Sequence, residues 1–106
     1  MNVVLCNCGG DEAPGLARAL VEEGVAACVN LLPGVRSFYV WDGEVCDDPE
    51  VTLLIKTSTE RVGELSDRIR ALHSYDTPEI VVLDVDTQAS DPRYVAWVRQ
   101  ATEGPK

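Results

Sequence analysis

The sequence predicts an α+β sandwich organised around one long β-hairpin, and three observations support this. An aromatic and β-branched run, Ser37 to Val45, contains Asp42-Gly43, a dipeptide that tolerates the positive φ angles of a tight hairpin turn. Apolar residues repeat at helical spacing from Val62 to Leu72. The elements follow the order strand, helix, strand, strand, helix, strand, helix. Two β-α-β halves of similar length predict the split β-α-β, ferredoxin-like arrangement.

The first strand and helix come from the N-terminal quarter of the chain. Val3 to Asn7 is apolar enough for a short strand. Asp11 is the predicted N-cap of the first helix, and Pro14 falls in its first turn, where a missing N–H does little harm. Gly24 supplies a glycine stop after the helix.

The hairpin follows and runs from Ala26 to Thr57. Pro33-Gly34 is unsuited to a central strand, so we place a bulge or bend there. The return limb, Glu50 to Thr57, is apolar nearly throughout, which predicts a strand covered on both faces. If Cys28 to Trp41 is extended, it spans roughly 45 Å at about 3.3 Å per residue.

Such a hairpin is longer than the body that carries it. A compact chain of this size has a radius of gyration of about 13 Å. An overhanging arm that exposes Phe38, Tyr39 and Trp41 would promote aggregation unless another chain covers it. We therefore expect an obligate oligomer whose interface contains these three aromatic residues.

The second half of the chain supplies a helix and a strand. Thr57-x-x-Glu60 predicts a capping box before the second helix. His73 to Pro78 is a turn-rich segment, and Glu79 to Val85 is predicted to be another buried strand. Right-handed crossovers would then place the helices on one face of a four-stranded antiparallel sheet and leave the other face bare in a monomer.

The chain is predicted to end with a third helix. Asp91-Pro92 starts this helix with a cap and an N1 proline. Glu103 to Lys106 is expected to fray. The predicted inward face of the helix consists of Tyr94, Trp97, Val98 and Ala101.

Length and composition indicate one domain, residues 1–106, of an acidic protein. The net charge of −9 and the pI near 4.4 repel phosphate backbones, so we exclude nucleic acid as a partner. No apolar run is long enough to span a membrane, and the first residues lack the basic start of a signal peptide. We therefore expect a cytoplasmic protein whose four cysteines are thiols.

The predicted topology gathers one set of chemically active residues. The end of the first strand (Cys6 to Asp11), the start of the third (Asp47 to Glu50) and His73 at the end of the second helix share one edge. Thiol and imidazole ligands suit copper, and a carboxylate favours Cu(II). The alternatives stay open: His73 as a plain helix terminus and Cys6 as a core residue. No hydrolase or P-loop motif is present, so we do not expect an enzyme.

Several short motifs follow one another through most of the chain. They are Ala26-Ala27-Cys28-Val29-Asn30 with Pro33-Gly34, Ser37-x-Tyr39-x-Trp41-x-Gly43, Leu54-Ile55-Lys56-Thr57, His73-x-Tyr75-x-x-Pro78-Glu79-Ile80 and Tyr94-x-x-Trp97. In this order they resemble the CutA divalent-cation tolerance family. The resemblance implies a tight ferredoxin-like trimer similar to the PII signalling proteins, linked to copper and other divalent cations. It also implies that Cys6, Glu50 and His73 are the metal ligands.

The chain departs from the family pattern twice, and both departures fall on the predicted metal edge. Asn7-Cys8-Gly9-Gly10 replaces a small, proline-containing segment, and Ser74 replaces the proline of the family's His-Pro-Tyr. Cys8 is therefore an additional candidate ligand, and Cys46 lies among acids near the hairpin tip.

Three functions remain in competition at this point. The first is a cytoplasmic homotrimer that binds copper or other divalent ions without turnover and without a tightly bound cofactor. The second is a PII-like signalling trimer that binds a small metabolite between subunits, with Asn30, Lys56, Tyr75 and Glu79 as candidate pocket residues. The third is a structural trimer that anchors another protein.

Overall fold

The computed structural model describes residues 1–104 and contains the strands and helices in the predicted order. Residues 105 and 106, which belong to the predicted domain 1–106 and to the predicted frayed end, lie outside the described range. In chain order the elements are β1 (Asn2–Cys8), α1 (Ala13–Glu22), β2 (Cys28–Trp41), β3 (Glu44–Thr57), a 3₁₀ turn (Thr59–Arg61), α2 (Val62–Leu72), β4 (Val81–Asp84) and α3 (Pro92–Ala101).

The four strands form one sheet in the order β2-β3-β1-β4, with every neighbouring pair antiparallel. β3 lies between β1 and β2, the two strands that α1 connects, and β1 lies between β3 and β4, the two that α2 connects. This is the split β-α-β arrangement. The predicted α+β, ferredoxin-like fold is therefore confirmed.

The hydrophobic core lies between the sheet and helices α1 and α2. Alternate residues of the two central strands face it, because successive side chains of a strand point to opposite faces. The return limb was expected to be covered on both faces, but within one chain only its helix-facing side is buried. The fully buried members of the core include Val4, Cys6, Cys8, Leu20, Leu53, Ile55, Leu65 and Ile69.

The hairpin has the predicted turn and the predicted irregularity. Asp42 and Gly43 both have positive φ, 51° and 76°, as a two-residue hairpin turn requires. The β2–β3 register shifts between Leu32 and Val35, and Gly34 has a φ of 79°. The longest dimension of the molecule is 45 Å, against 29 and 21 Å for the other two, so the hairpin extends beyond the body.

Both predicted caps of the first two helices are wrong. Glu12, not Asp11, occupies the N-cap of α1, and its side chain makes no capping hydrogen bond. The carbonyl of Gly9 accepts the backbone N–H of Glu12 in a tight turn that sets where α1 begins. Thr57 cannot cap α2, because its buried hydroxyl donates instead to the carbonyl of Val25, at 2.8 Å.

The last strand and helix are more exposed than predicted. β4 is shorter than the predicted Glu79 to Val85, and its apolar side chains are about half exposed because it is an edge strand. The predicted cap of α3 is confirmed, since Asp91 accepts a hydrogen bond from the backbone N–H of Arg93. Of the predicted inward face of α3, Val98 is buried, whereas Tyr94 and Trp97 are 40% and 46% exposed.

We predict that Ile55→Ala lowers the free energy of unfolding by about 2–5 kcal/mol, because it leaves a cavity beside fully buried neighbours. Val21→Ala near the end of α1, where the residue is 43% exposed, should change it by about 0.5 kcal/mol or less. Urea unfolding at one fixed protein concentration measures both. Equal losses in the two variants would contradict the position of the core.

Candidate functional site

A thiol, a carboxylate and an imidazole meet where β1 ends and α2 ends. Ligand atoms of Cys8, Glu12 and His73 all lie within 4.8 Å of one another. Cys8 is the last residue of β1, the turn after it carries Glu12, and His73 is the C-cap of α2. Within residues 1–104 this is the one group of three or more Cys, His, Asp or Glu residues with such spacing.

His73 is held by hydrogen bonds at both ring nitrogens. Its side chain is fully buried. Nε2 lies 2.9 Å from the carbonyl oxygen of Asn7, and Nδ1 accepts the backbone N–H of Tyr75 at 3.1 Å. Because a carbonyl only accepts and an amide N–H only donates, this pattern requires the tautomer protonated at Nε2. Coordination of a metal by His73 would therefore replace one of these two hydrogen bonds.

The two thiols of β1 are buried on the helix-facing side of the sheet. Desolvation raises the pKa of Cys6 to about 12, with Cys8 and nearby carboxylates adding to the shift. Desolvation also raises the pKa of Cys8 to about 11, and the negative charge of Glu12 adds to that shift. Both thiols are thus protonated at neutral pH and unsuited to nucleophilic attack.

The structure does not bring the predicted ligands Cys6, Glu50 and His73 into one group. Glu50 lies on the face of the sheet away from the helices, where its Oε2 accepts a hydrogen bond of 2.9 Å from the hydroxyl of Tyr75. Cys8 and Glu12 accompany His73 instead. Cys46 lies on the hairpin opposite Tyr39, outside this cluster.

A cavity of about 450 Å³ opens on the face of the sheet away from α1 and α2. Side chains from the end of β1, from the hairpin and from the loop before β4 line it. Of the candidate pocket residues, Tyr75 and Glu79 line this cavity, whereas Asn30 and Lys56 do not. The lining residues are Asn7, Tyr39, Trp41, Glu50, Tyr75, Asp76, Thr77 and Glu79.

Lys56 and Asn30 lie further along the same face. The ammonium of Lys56 is 5.7 Å from the ring centre of Tyr94 on α3, a cation–π distance. Asn30 is paired with Leu54 across the β2–β3 ladder. Within one chain, these two residues are therefore separate from the cavity that holds Tyr75 and Glu79.

The predicted interface residues divide between the two faces of the hairpin. Tyr39 and Trp41 line the cavity, and their side chains are 43% and 67% exposed. Phe38 is 64% exposed and lies 5.3 Å from the guanidinium of Arg36, which pairs with Asp47 at 2.7 Å. All three rings thus keep exposed surface in the single chain.

Sequence reasoning missed Glu12 as a partner of Cys8 and Asn7 as a cavity residue. Cys8 itself was a candidate ligand, and its spacing from Cys6 correctly places both side chains on one face of the strand. The position of Glu12 depends on the turn after Gly9, which no motif in the sequence specifies.

Comparison with known proteins decides the family. The sequence profile described as CutA1 divalent ion tolerance protein matches residues 2–101. This chain belongs to the CutA1 family. The predicted resemblance is confirmed, and with it the family's description as divalent-ion tolerance proteins.

Individual relatives support the assignment of this chain to the CutA1 family. "Divalent-cation tolerance protein CutA" of Thermus thermophilus is 46% identical over 101 residues, which are 94% of this chain and 96% of that protein. Human "Protein CutA" is 45% identical over 86% of this chain, which spans only 50% of the human protein. The solved structure of "PII-like protein CutA" from Nostoc, in apo form, has a TM-score of 0.93 and 46% identity, covering 97% of this chain and 98% of that one.

The helices of residues 1–104 are all too short or too polar to cross a bilayer.

We predict that iodoacetamide alkylates Cys46 well before Cys6 and Cys8 at pH 8, because the two β1 thiols are fully buried and have raised pKa values. Peptide mass spectrometry at timed intervals measures each rate. In concentrated urea all three should react at similar rates, which is the control. If Cys8 reacts as fast as Cys46 in the folded protein, the described burial of this thiol is incorrect.

Proposed function

We propose that this CutA1-family protein is a non-catalytic cytoplasmic homotrimer that binds copper or another divalent cation and contributes to cation tolerance. One observation carries the metal proposal: Cys8, Glu12 and His73 present a thiol, a carboxylate and an imidazole within 4.8 Å of one another. Relatives named for divalent-cation tolerance support the same class of ligand. The overall charge of −9 favours the approach of cations.

The donor set fits a transition metal. Thiolate and imidazole ligands suit copper and zinc, and a carboxylate balances the charge of a divalent ion. Cys8 would supply the thiolate, Glu12 the oxygen ligand and His73 the nitrogen ligand. Binding requires the Cys8 proton to leave and His73 to give up either the Tyr75 N–H or the Asn7 carbonyl.

We predict that Cys8→Ser and His73→Ala each weaken Zn(II) binding by about tenfold or more, as expected for the loss of a ligand. Isothermal titration calorimetry measures the affinities, with Cys46→Ser as the matched thiol control outside the cluster. Zn(II) is used beside Cu(II) because zinc has no redox chemistry with thiols.

The family-derived ligand set is tested in the same series with Cys6→Ser and Glu50→Gln. Weakened binding in these two variants, with Cys8→Ser unchanged, would favour the set implied by resemblance over the cluster in the structure. Unchanged binding in Cys8→Ser, Cys6→Ser and His73→Ala together would exclude a metal site at this edge.

We also predict that Zn(II) affinity rises with pH by about tenfold per pH unit between pH 6.5 and 7.5. The pKa of Cys8 is about 11, so its thiol is protonated throughout this range and each bound ion displaces a proton. Calorimetry at three pH values in the same ionic strength gives the slope. The slope should disappear in Cys8→Ser, and an affinity independent of pH in the unmodified protein would exclude thiolate ligation.

The apolar surface that remains exposed in a single chain supports homotrimer formation. The sheet face away from the helices, both edge strands and the three hairpin rings all retain exposed apolar surface. The molecule is 45 Å long against 29 and 21 Å in its other dimensions, an elongation that agrees with a protruding hairpin. The likeness to a protein described as PII-like supports three copies as the number.

We predict that sedimentation at low micromolar concentration gives a particle of three times the 11.5 kDa chain mass. Trp41→Glu should shift the distribution toward smaller species, since it places a charge on an exposed ring position of the hairpin. Ala71→Glu, at an exposed position of α2, is the control and should leave the mass unchanged. A stable, folded particle of one chain mass would contradict the trimer.

A further inference from the structure

We propose that the hydroxyl of Ser74 holds the carboxylate of Glu12 against Nδ1 of His73 and thereby makes the cluster selective for ions that accept an oxygen ligand. Zn(II) and Cu(II) are such ions, whereas the soft ion Cu(I) prefers sulfur ligands. This role rests on the proposed metal-binding function and adds Ser74 to it as a positioning residue. The contacts that define the role lie within one chain, so they do not depend on a neighbouring subunit.

One oxygen of Glu12 contacts two consecutive residues of the chain. Its Oε1 accepts a hydrogen bond of 3.0 Å from the hydroxyl of Ser74, and the same atom lies 3.5 Å from Nδ1 of His73. His73 is the C-cap of α2 and has an extended backbone, so the chain leaves the helix there. Ser74 can therefore reach the start of α1, 62 residues earlier in the sequence.

The facing atoms of Glu12 and His73 both carry lone pairs. Nδ1 accepts the backbone N–H of Tyr75 at 3.1 Å and has no proton of its own in the tautomer described above, and a carboxylate oxygen has none either. No hydrogen atom therefore lies between these two atoms. Two electron-pair donors at 3.5 Å repel each other, and a cation bound by both replaces this repulsion with attraction.

The distance between the two atoms suits a tetrahedral metal site. Oxygen and nitrogen ligands lie about 2.0–2.1 Å from zinc, so two such ligands in a tetrahedral site are about 3.3 Å apart. The 3.5 Å between Oε1 of Glu12 and Nδ1 of His73 is close to this spacing before any ion is bound. The hydrogen bond from Ser74 holds one of the two atoms at that distance.

Glu12 is the least restrained of the three candidate ligands. The side chains of Cys8 and His73 are fully buried, whereas that of Glu12 is 27% exposed and makes no capping hydrogen bond to α1. Within residues 1–104, the hydroxyl of Ser74 is the hydrogen-bond donor to this carboxylate. Fixing a glutamate side chain costs conformational entropy, so a restraint that exists before binding increases the affinity for the ion.

The carboxylate determines which ions gain from this restraint. A carboxylate oxygen contributes to the binding of Zn(II) and Cu(II), whereas Cu(I) is selected by soft ligands such as thiolates. Loss of the Ser74 hydroxyl should therefore weaken the binding of divalent ions and leave that of Cu(I) nearly unchanged. A residue that only stabilises the fold would affect both kinds of ion alike.

Competition with chromophoric chelators tests the selectivity in the full-length protein. The probes are Zn(II) and, under anaerobic conditions, Cu(I). Ser74→Ala should weaken Zn(II) binding by about tenfold and change Cu(I) binding by about twofold or less. Ser74→Thr keeps the hydroxyl and should bind Zn(II) as the unmodified protein does. Ser90→Ala removes a hydroxyl that donates to the carbonyl of Asp86, far from the cluster in sequence, and should change neither affinity.

A double variant identifies the carboxylate as the group through which Ser74 acts. Glu12→Gln should weaken Zn(II) binding by about tenfold or more, as expected for a lost ligand. Adding Ser74→Ala should cause no further loss, because the effects of two residues that act through one contact are not additive. Glu22→Gln, the same charge change at an exposed position of α1, is the control and should leave Zn(II) binding unchanged.

Nuclear magnetic resonance identifies the ring nitrogen that is used. His73 is the only histidine of the chain, so its two nitrogens can be assigned directly in a long-range ¹H–¹⁵N correlation spectrum. Without metal, Nε2 should carry the proton. On addition of Zn(II), the Nδ1 resonance should shift while Nε2 keeps its proton, because Glu12 faces Nδ1. Coordination through Nε2 would separate the ion from Glu12 and overturn the inference.

The other contrary results separate the role of Ser74 from the proposed function. Unchanged Zn(II) binding in Ser74→Ala, or equal losses for Zn(II) and Cu(I), would exclude a positioning role and leave the metal site in place. Additive losses in the double variant with Glu12→Gln would also exclude that role. Unchanged metal binding in both Cys8→Ser and His73→Ala would instead remove the metal site itself.

Discussion

The pleat of β1, the strand between β3 and β4, fixes which chemistry lies on which side of the molecule. Its even-numbered residues face the helices, where Cys6 and Cys8 are fully buried, and its odd-numbered residues face the open side. Asn7 has contacts on both sides of this division. Its backbone carbonyl bonds to the ring of His73, while its side-chain amide bonds to Glu79 in the cavity. The thiol cluster and the acidic cavity are therefore separated by the thickness of one strand.

The features that the sequence predicts well are those set by local geometry. The turn at Asp42-Gly43 depends only on the positive φ angles of these two residues and on no distant contact. The helical repeat of α2 identifies the buried face of that helix directly. The edge that gathers β1, β3 and His73 follows from strand order, so topology suffices to place it. Which side chains meet there depends on the turn after Gly9, where Glu12 is brought beside Cys8. Local backbone hydrogen bonds to the Gly9 carbonyl close that turn, but no spacing rule in the sequence specifies its geometry.

The wrong cap at Thr57 and the unexpected exposure of β4 and α3 both depend on contacts outside the local segment. The hydroxyl of Thr57 suits a cap, but once Thr57 is buried the carbonyl of Val25 is its nearest acceptor. Periodicity likewise identified the apolar faces of β4 and α3 without identifying what covers them. Tyr94 and Trp97 remain nearly half exposed in a single chain. A hydrophobic pattern records that a surface is apolar, and it does not distinguish burial in the chain from burial between chains.

The bulge at Pro33-Gly34 makes the length of this segment a determinant of surface chemistry. Two residues of β2 stand opposite Val51, so the outer half of the hairpin is turned over relative to a regular ladder. Deleting one of them would exchange the side that carries Tyr39 for the side that carries Phe38. In alignments of related sequences, a gap of one residue at this position therefore indicates a hairpin whose outer half has exchanged its two faces. A gap of one residue in the loop before α3 changes only the length of that loop.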